Sequence, residues 1–174
     1  PEKETACGLG NRKNKYFNDI LEKDGVEVYE STVDLIKDLK EEGIRLGVAS
    51  SSKNCKKVLD AAGLTDFFET RVDGLVSAEI GLKGKPEPDI FTTACDNIGV
   101  QYDLSVVVED AVSGVQAGSK GGFGLTLGLD REGNREALEK NGADIVLNDI
   151  SELGGIPALD KWFETRAEEL KWDI

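Results

Sequence analysis

Apolar residues follow two spacings along this chain, and the two spacings alternate. Helical spacing, with apolar residues every three to four positions, is clearest at 13–24, 33–39 and 88–98, and a glycine follows each stretch within a few residues. Short runs of aliphatic or β-branched residues, typical of buried strands, lie between such stretches at 44–49 and 105–108. Strands that alternate with helices predict an α/β fold built on a parallel sheet.

The same patterns predict the remaining elements and some of their ends. Ser31 or Thr32 is expected to cap the second helix, and the serines at 50–52 the third, because a hydroxyl can accept a hydrogen bond from a free helix amide. Pro88 suits the first turn of its helix, and the run at 105–108 is expected to be buried on both faces. The predicted strands are 44–49, a short strand within 67–74, 105–108, 123–127 and 144–147; the predicted helices are 13–24, from residue 31 or 32 to 43, 50–62, 88–98, one ending near 121, 135–140 and an acidic amphipathic helix at the C-terminus.

Composition and charge indicate an acidic globular protein. The 174 residues suffice for one domain, and 39% hydrophobic with 32% charged residues is ordinary for a folded chain. The formal charge of −13 argues against nucleic acid or an anionic membrane as a partner. No apolar run approaches the roughly 20 residues that a membrane span needs, and no signal-peptide pattern opens the chain. The sequence therefore predicts a soluble cytoplasmic protein.

The cysteine and histidine content limits the chemistry that the chain can perform. Cys7, Cys55 and Cys95 are scattered without a C-x-x-C pair, which fits a reducing compartment. Cys95 lies on the apolar face of a helix and is expected in the core. The chain contains no histidine, so Ser-His-Asp, Cys-His and histidine-ligand mechanisms are all excluded. Catalysis has to use carboxylates, lysine, hydroxyls and a hard metal ion.

Three polar groups lie at positions where active sites usually form in an α/β fold. Ser50 and the pair Glu109–Asp110 each follow a strand-like run, and ligands bind beyond the carboxyl ends of parallel strands. Lys85 precedes a rigid Pro-x-Pro turn that could aim its charge inward. Each group has a structural alternative: the serines can cap a helix, the lysine can be solvated, and the carboxylates can be a capping pair. Together, hydroxyls, a cation and two carboxylates are the parts that hold a phosphoryl group beside Mg²⁺.

In this order and spacing, the three groups resemble the haloacid dehalogenase (HAD) superfamily of phosphotransferases, in the branch similar to β-phosphoglucomutase. The resemblance runs from about Arg12 to Glu152 and includes the segment 111–118 and the ending 142–153. It implies a Rossmann-like core, with a parallel sheet and helices on both faces, and a helical cap that closes over the substrate. It also implies a Mg²⁺-dependent enzyme whose partner is a small phosphorylated sugar.

The resemblance assigns catalytic and metal-binding roles by position. Ser50 matches the hydroxyl that holds the transferring phosphoryl group, and Lys85 matches the lysine that stabilises its charge. Glu109 and Asp110 match the acidic motif that binds Mg²⁺.

Further positions match parts of the family that bind the rest of the substrate. In the mutase-like branch, residues after the serine bind the second, non-transferring phosphate, which implies this role for Ser51, Ser52, Lys53 and Asn54. The first predicted helix resembles part of the cap, where Lys13 is expected to face the substrate. A solvated basic helix face is the alternative for Lys13.

The family's first motif, an apolar strand followed by Asp-x-Asp, has no match in the chain. In the family its first aspartate attacks the phosphoryl group and its second acts as general acid and base. The aspartates at 19–24 have the wrong spacing, Asp73 lacks a paired aspartate, and Asp149 is followed two residues later by serine. Because the motif precedes the cap and this chain begins inside the cap, we expect a truncation. The missing strand is central in the family, between the strands that end at Ser50 and Glu109, so its loss is expected to leave two unpaired edges.

These considerations predict three parts and leave the activity open. Residues 1–28 are expected to be a remnant of the cap, 29–156 the HAD-like core and 157–174 a C-terminal helix or tail, with room for a further domain beyond either end. The run 52–54 favours a phosphomutase-like activity in the parent protein. A sugar-phosphate phosphatase is one alternative, and a non-catalytic fragment or a module of a larger enzyme is another. The 174-residue chain by itself is expected to be inactive and poorly stable.

Overall fold

The computed structural model describes residues 6–171, with side chains from 12 to 169, and its described strands form two separate parallel sheets. The first sheet pairs β1 (Gly47–Ala49) with β2 (Thr70–Val72), and the second has the order β3 (Val106–Glu109), β4 (Leu125–Leu129), β5 (Ile145–Leu147). In register, Gly47 lies opposite Thr70, Val106 opposite Leu125, and Leu127 opposite Ile145.

Helices connect the strands, as the alternating pattern predicts. The described α-helices are α1 (Ala6–Asp24), α2 (Glu30–Glu41), α3 (Cys55–Ala62), α4 (Gly74–Ile80), α5 (Asp89–Ile98), α6 (Val112–Lys120), α7 (Arg135–Lys140) and α8 (Ile156–Lys171). Short 3₁₀ turns lie at Thr65–Phe67, Tyr102–Leu104 and Ile150–Leu153. The predicted α/β fold is confirmed.

The larger sheet is covered on both faces, which confirms a second part of the predicted fold. Leu125, Leu127 and Leu129 of β4 pack on the face that α2 and α8 cover. Thr126 points to the opposite face, where Gly118 of α6 approaches it closely enough that a Cβ on residue 118 would lie 2.8 Å from the Thr126 methyl group. Successive strand residues face opposite sides, so β4 is buried along its whole length.

The two sheets are separated by a groove with a volume of about 520 Å³. No described strand lies between β1 and β3, which are not hydrogen-bonded to each other. Ala49 of β1 and Val108 of β3 line the groove, together with apolar side chains of α2, α5 and α8. Unpaired strand edges therefore meet an apolar space at the position where sequence analysis expects a missing central strand.

The groove also explains why one prediction about burial is wrong. The run that became β3 was expected to be buried on both faces, yet Val107 is 5% exposed and its neighbour Val108 is 48% exposed. Val107 packs into a core cluster with Val72, Phe91 and Phe123. Val108 faces the groove, where no described side chain covers it fully.

Several predicted element boundaries also differ from the structure. The first strand is three residues long instead of six, because only Gly47–Ala49 pairs with β2, although Glu69 still donates its backbone N–H to the Leu46 carbonyl at 2.9 Å. Helix α4 was not predicted, because its seven residues are too few to display a helical period. The helix of 135–140 and the strands of 105–108 and 144–147 agree within one residue.

Neither predicted hydroxyl cap of α2 forms. The N-cap residue is Tyr29, which makes no side-chain capping bond. Ser31 instead donates its hydroxyl to Oδ2 of Asp149 at 3.0 Å, and the buried Thr32 hydroxyl oxygen has no hydrogen-bond partner within the described residues. A long-range contact has thus taken the place of the local cap.

The remaining sequence-based expectations concern membranes, cysteines and the division of the chain. Within the described residues, no helix is long and apolar enough to cross a membrane. Cys95 is 9% exposed in the core, as predicted, and Cys55 is also a buried free thiol; the side chain of Cys7 lies outside the described part.

The helix predicted at the C-terminus is α8. It packs on the larger sheet, where the Trp162 indole N–H donates to the Gly124 carbonyl at 2.9 Å.

Candidate active site

The loop after β1 folds back on itself through its serine hydroxyls. The Ser50 N–H donates to the Val72 carbonyl at 2.9 Å, which fixes the start of the loop to the neighbouring strand. The Ser50 hydroxyl oxygen accepts from the Ser52 N–H at 3.2 Å, and the Ser52 hydroxyl oxygen accepts from the Asn54 N–H at 3.1 Å. The loop from Ser50 to Asn54 is thus held by two hydrogen bonds of its own and by backbone bonds to the neighbouring strand end. It is called the phosphate loop below, after the role that the family resemblance predicts for it.

These serines do not cap α3, which corrects the prediction that they would. The N-cap residue is Asn54, and it makes no side-chain capping bond. Ser51, Ser52 and Lys53 are exposed on the loop, and Ser50 is half-buried at its start. Their side chains therefore remain near solvent, where a ligand can reach them.

Helix α1 contacts this loop and the helix after it. The Asn54 amide donates to Oδ1 of Asn14 at 2.5 Å, and the Lys57 ammonium group donates to Oδ1 of Asn18 at 2.7 Å. Lys13, which is expected to face the substrate, is exposed on the same helix. Its role stays a prediction, whereas Asn14, the next residue, contacts the loop directly.

Lys85 is placed by a tightly bonded turn. The Glu87 N–H donates to the Gly84 carbonyl at 3.1 Å, and the Lys83 N–H donates to Oδ2 of Asp89 at 3.0 Å. The peptide between Lys85 and Pro86 is cis. The ammonium group lies 5.0 Å from the centroid of the Phe91 ring, over its face. The side chain is only 14% exposed, so the solvated alternative for Lys85 does not describe the structure.

The carboxylate of Glu109 holds the Lys85 ammonium group in an ion pair. Burial lowers the pKa of Lys85 below its ordinary 10.5, and the negative charge of Asp110 opposes that effect. The other Glu109 oxygen accepts the backbone N–H groups of Asp110 and Ala111 at 3.1 and 3.2 Å. Glu109 is thus committed to contacts within the protein at the carboxyl end of β3.

Asp110 has a different environment from Glu109. Its side chain is exposed, and its carboxylate makes no hydrogen bond to the described residues. Within those residues, no group of three or more acidic, histidine or cysteine side chains is placed to hold a metal ion. Glu109 and Asp110, which the family resemblance assigns together to Mg²⁺ binding, therefore occupy unlike positions. Glu109 anchors Lys85, and the Asp110 carboxylate is exposed.

Both strand ends that carry the predicted site border the same groove. Ala49 and Val108, which line it, immediately precede Ser50 and Glu109, and Phe91 lines it beneath Lys85. The arrangement places a hydroxyl loop on one side of the groove and a cation with an open carboxylate on the other. A phosphoryl group has the charge and hydrogen-bonding needs that such an arrangement satisfies.

The chain is similar in sequence and in fold to known proteins. A haloacid dehalogenase-like hydrolase family model matches residues 2–122. β-Phosphoglucomutase of Mycobacterium bovis is 40% identical over 153 residues, which are 86% of this chain and 58% of that protein. Trehalose-phosphate phosphatase of Mycobacterium leprae is 35% identical over 128 residues, 71% of this chain and 28% of that protein. A crystal structure of β-phosphoglucomutase from Clostridium difficile matches 95% of this chain and 70% of its own with a TM-score of 0.77 at 23% identity.

The chain therefore belongs to the haloacid dehalogenase-like hydrolase family. Within that superfamily it falls in the branch that is similar to β-phosphoglucomutase. It spans 58% of the length of the Mycobacterium bovis relative, so the activity of the whole protein is a matter for proposal.

Proposed function

We propose that the protein containing this chain transfers a phosphoryl group on a sugar phosphate with the help of Mg²⁺, in the manner of a β-phosphoglucomutase. The observation that carries the proposal is the largely buried ammonium group of Lys85, paired with Glu109 at the carboxyl end of β3. A buried cation held beside a groove can offset the negative charge of a bound phosphoryl group more strongly than a solvated one, because little water screens it.

Ser50 and Lys85 take complementary roles in this proposal. The Ser50 hydroxyl and the neighbouring loop amides orient the phosphoryl oxygens, and Lys85 balances their charge. Loss of one well-placed electrostatic contact of this kind costs roughly 10²- to 10³-fold in kcat. The bond-making aspartate that the family resemblance implies has no counterpart in this chain, so the proposal assigns that role to the parent protein.

Mg²⁺ fits the residues at the end of β3 as a partial ligand set. Magnesium prefers oxygen ligands and keeps several waters, and it is commonly bound by one or two carboxylates together with substrate phosphate oxygens. The carboxylate of Asp110, which is exposed and has no partner among the described residues, meets this need. Glu109 already binds Lys85, so it would act on the metal site through charge and by fixing the backbone of Asp110. Bound there, the cation would supply charge neutralisation of the phosphoryl group.

The metal proposal can be tested without measuring turnover. Calorimetric titration of the full-length protein with Mg²⁺ should give an affinity that Asp110→Asn weakens at least roughly 10-fold, since a ligand oxygen is lost. Asp103→Asn, which changes an exposed carboxylate in the 3₁₀ turn Tyr102–Leu104, is the matched control. Equal affinities of the wild type and Asp110→Asn would remove Asp110 from the metal site.

The choice between mutase and phosphatase rests on the phosphate loop. Ser52, Lys53 and Asn54 provide exposed or half-buried hydroxyl, ammonium and amide groups next to Ser50, and Asn14 of α1 contacts one of them. A second phosphate, which a phosphomutase has to hold, would find donors there. A sugar-phosphate phosphatase is the second candidate, supported by the similarity to trehalose-phosphate phosphatase.

Product analysis distinguishes the candidates. The full-length protein would be incubated with β-glucose 1-phosphate and Mg²⁺, and glucose 6-phosphate and free phosphate measured in the same samples. We expect isomerisation, and Ser50→Ala should lower it roughly 10²-fold while Thr165→Ala, a hydroxyl change on α8, leaves it unchanged. Free phosphate without isomerisation would favour the phosphatase. Neither product from this or other sugar phosphates would favour a non-catalytic role.

We further place the protein in the cytoplasm with a small phosphorylated sugar as its partner. The two buried thiols of Cys55 and Cys95 are free, which fits a reducing compartment.

A further inference from the structure

A fully buried carboxylate lies behind the phosphate loop. Asp73 is 0% exposed at the carboxyl end of β2, the strand next to β1. Burying a carboxylate costs free energy unless hydrogen bonds or an opposite charge compensate it. The position therefore calls for a structural explanation, and three contacts supply it.

The Asp73 carboxylate binds the start of α4 and one arginine. Its Oδ1 accepts from the backbone N–H groups of Leu75 and Val76 at 2.9 and 3.1 Å, and its Oδ2 accepts from Nε of Arg71 at 2.7 Å. Burial by itself raises the pKa of Asp73, but the two amides and the guanidinium group outweigh it, so the net pKa is below the ordinary 3.8. Asp73 is thus ionised at neutral pH and fixes the backbone around it.

The residues on either side of Asp73 bind the phosphate loop. The Val72 carbonyl accepts the Ser50 N–H at 2.9 Å, and the Gly74 N–H donates to the Ser52 carbonyl at 3.1 Å. Both hydrogen bonds come from the backbone that the Asp73 carboxylate holds. A shift of this short junction would therefore move Ser50 and Ser52 with it.

The junction approaches the loop so closely that only glycine fits at position 74. A Cβ on Gly74 would lie 2.5 Å from the Ser51 carbonyl oxygen and 3.1 Å from the Lys53 nitrogen. Both are backbone atoms, so a side chain could not be accommodated by a rotamer change. Gly74 does not have a positive φ, so its lack of a side chain serves this contact and not a turn.

The buried thiol of Cys55 is influenced by the same residues. It is buried at the first position of α3, directly after the phosphate loop. Burial raises its pKa, and the Asp73 charge raises it further, while the Ser50 hydroxyl has the opposite effect. The net effect is a raised pKa, so Cys55 is a neutral thiol at neutral pH.

We propose that Asp73 is a positioning residue for phosphoryl transfer, which sets the location of Ser50 and Ser52 by fixing the Val72–Gly74 junction, and that Gly74 serves the same contact. This inference rests on the proposed function of the phosphate loop. It predicts that changes at 73 and 74 weaken phosphate binding and turnover although neither residue touches the substrate. A purely structural role, as the N-cap of α4, predicts a loss of stability alone.

The test uses the full-length protein and compares Asp73→Ala and Asp73→Asn with Asp149→Ala. Asp149 is a matched control, because it accepts the Ser151 N–H at the start of a 3₁₀ turn and lies outside the site. Asp73→Ala should lower kcat/KM for the sugar phosphate roughly 10- to 100-fold, the range expected from a small misplacement of a binding group. It should weaken inhibition by inorganic phosphate in parallel. Asp73→Asn keeps an acceptor for the two amides and should restore part of the loss.

Gly74→Ala separates positioning from helix stability. Alanine is the better helix former, so the variant should leave α4 intact while its Cβ displaces the loop. We expect Gly74→Ala to lose as much kcat/KM as Asp73→Ala. Its melting temperature should be no lower than that of Asp73→Ala. Equal kinetic constants for Gly74→Ala and the wild type would overturn the proposal.

Amide hydrogen exchange tests the positioning role of Asp73 without relying on the proposed activity. In Asp73→Ala the Ser50 amide, which donates to Val72, should exchange at least about 10-fold faster, whereas Asp149→Ala should leave it unchanged. If the wild-type protein turns over no sugar phosphate, the proposed function fails and the exchange rates still decide the positioning role. Unchanged Ser50 exchange in Asp73→Ala would refute that role even in an active enzyme.

Discussion

The ammonium group of Lys85 pairs with the carboxylate of Glu109, and the two side chains keep only 14% and 9% of their surface exposed. The pair joins the turn after α4 to the end of β3, 24 residues apart in sequence. Buried ion pairs of this kind are expensive to break, since the remaining partner becomes an uncompensated buried charge. The pair therefore links the local stability of the site to its electrostatic function.

Removing the Lys85 charge should abolish most of the activity of the full-length protein. Lys85→Ala is expected to lower kcat roughly 10²- to 10³-fold and to destabilise the fold by about 3 kcal/mol, because Glu109 is left buried without its partner. Lys85→Arg keeps the charge but not the shape of the side chain, so its kcat and its stability should lie between those of the wild type and Lys85→Ala. Steady-state kinetics and urea unfolding measure both effects.

A surface ion pair near the same turn provides the control for Lys85. Lys120 pairs with Glu87 at 3.2 Å, and both side chains are about half exposed. Lys120→Ala should change kcat less than twofold and stability by less than about 1 kcal/mol. Comparable losses in Lys120→Ala and Lys85→Ala would show that the turn, and not the buried charge, matters.

Gly114 of α6 should be essential for the placement of Glu109. A Cβ on residue 114 would lie 2.1 Å from the carboxyl carbon of Glu109, far inside van der Waals contact. Gly114→Ala should therefore displace Glu109 from Lys85 and destabilise the protein by roughly 1–3 kcal/mol, despite the better helix propensity of alanine. Gly84→Ala is the matched control, because its Cβ would meet no atom within 4 Å. Thermal melts that rank the two variants equally would contradict this prediction.

The buried Lys85 ammonium group predicts opposite trends of activity and stability at alkaline pH. Burial places its folded-state pKa below the ordinary 10.5, so between these two values the unfolded chain binds more protons than the folded one. The contribution of Lys85 to stability should then rise with pH in that window. Activity should fall there, because the neutral amine no longer balances phosphoryl charge.

Site-specific NMR can measure this titration. The Lys85 side-chain resonance, assigned by its absence in Lys85→Arg, should titrate below 10.5 and coincide with the alkaline limb of kcat/KM. Titration at or above 10.5 would mean that Glu109 and Asp110 outweigh burial and that the alkaline limb has another origin.

The groove between β1 and β3 predicts that the 174-residue chain behaves differently from its parent protein. We expect the chain alone to lack a cooperative melting transition and turnover, and the parent protein to show both, because unpaired edges and an apolar space of about 520 Å³ leave the fold incomplete. Calorimetry and the sugar-phosphate assay measure the two properties. Cooperative melting with turnover by the 174-residue chain would contradict the prediction.

Val108 offers a point test of what fills the groove in the parent protein. It is 48% exposed here, and a strand placed in the groove would cover it. Val108→Asp should then destabilise the parent protein by about 3 kcal/mol. Leu75→Asp, at a residue that is 56% exposed on α4, should cost less than about 1 kcal/mol. Equal costs in urea unfolding would argue against a strand over Val108.

Element types were largely predictable, because hydrophobic period is a local property. The helix of 135–140 and the strand ending at 147 follow directly from the spacing of their apolar residues. Helix caps could not be predicted from the sequence. The Ser31 hydroxyl donates to Asp149, 118 residues away, and the Ser50 hydroxyl accepts a hydrogen bond within its own loop. Short side chains with several possible partners are decided by what the fold brings near them.

The candidate site was predictable as a set of residues and not as a set of contacts. Ser50, Lys85 and Glu109 carry the right chemistry at strand ends and turns, and the sequence shows that much. That Glu109 serves Lys85 while Asp110 stays open depends on which way each side chain turns at the end of β3. The sequence excludes Asp73 as the nucleophile because it lacks a paired aspartate, but the burial of Asp73 behind the loop depends on the tertiary structure.

The sequence by itself determined the alternation of strands and helices, the absence of histidine chemistry and the order of hydroxyl, lysine and carboxylates, because each is a property of residue types and spacing. The tertiary structure alone decided that Lys85 is buried against Glu109, that Asn14 meets the phosphate loop, and that β1 and β3 face each other across an open groove. These relationships depend on distances between residues far apart in the chain, which packing sets and local pattern does not encode.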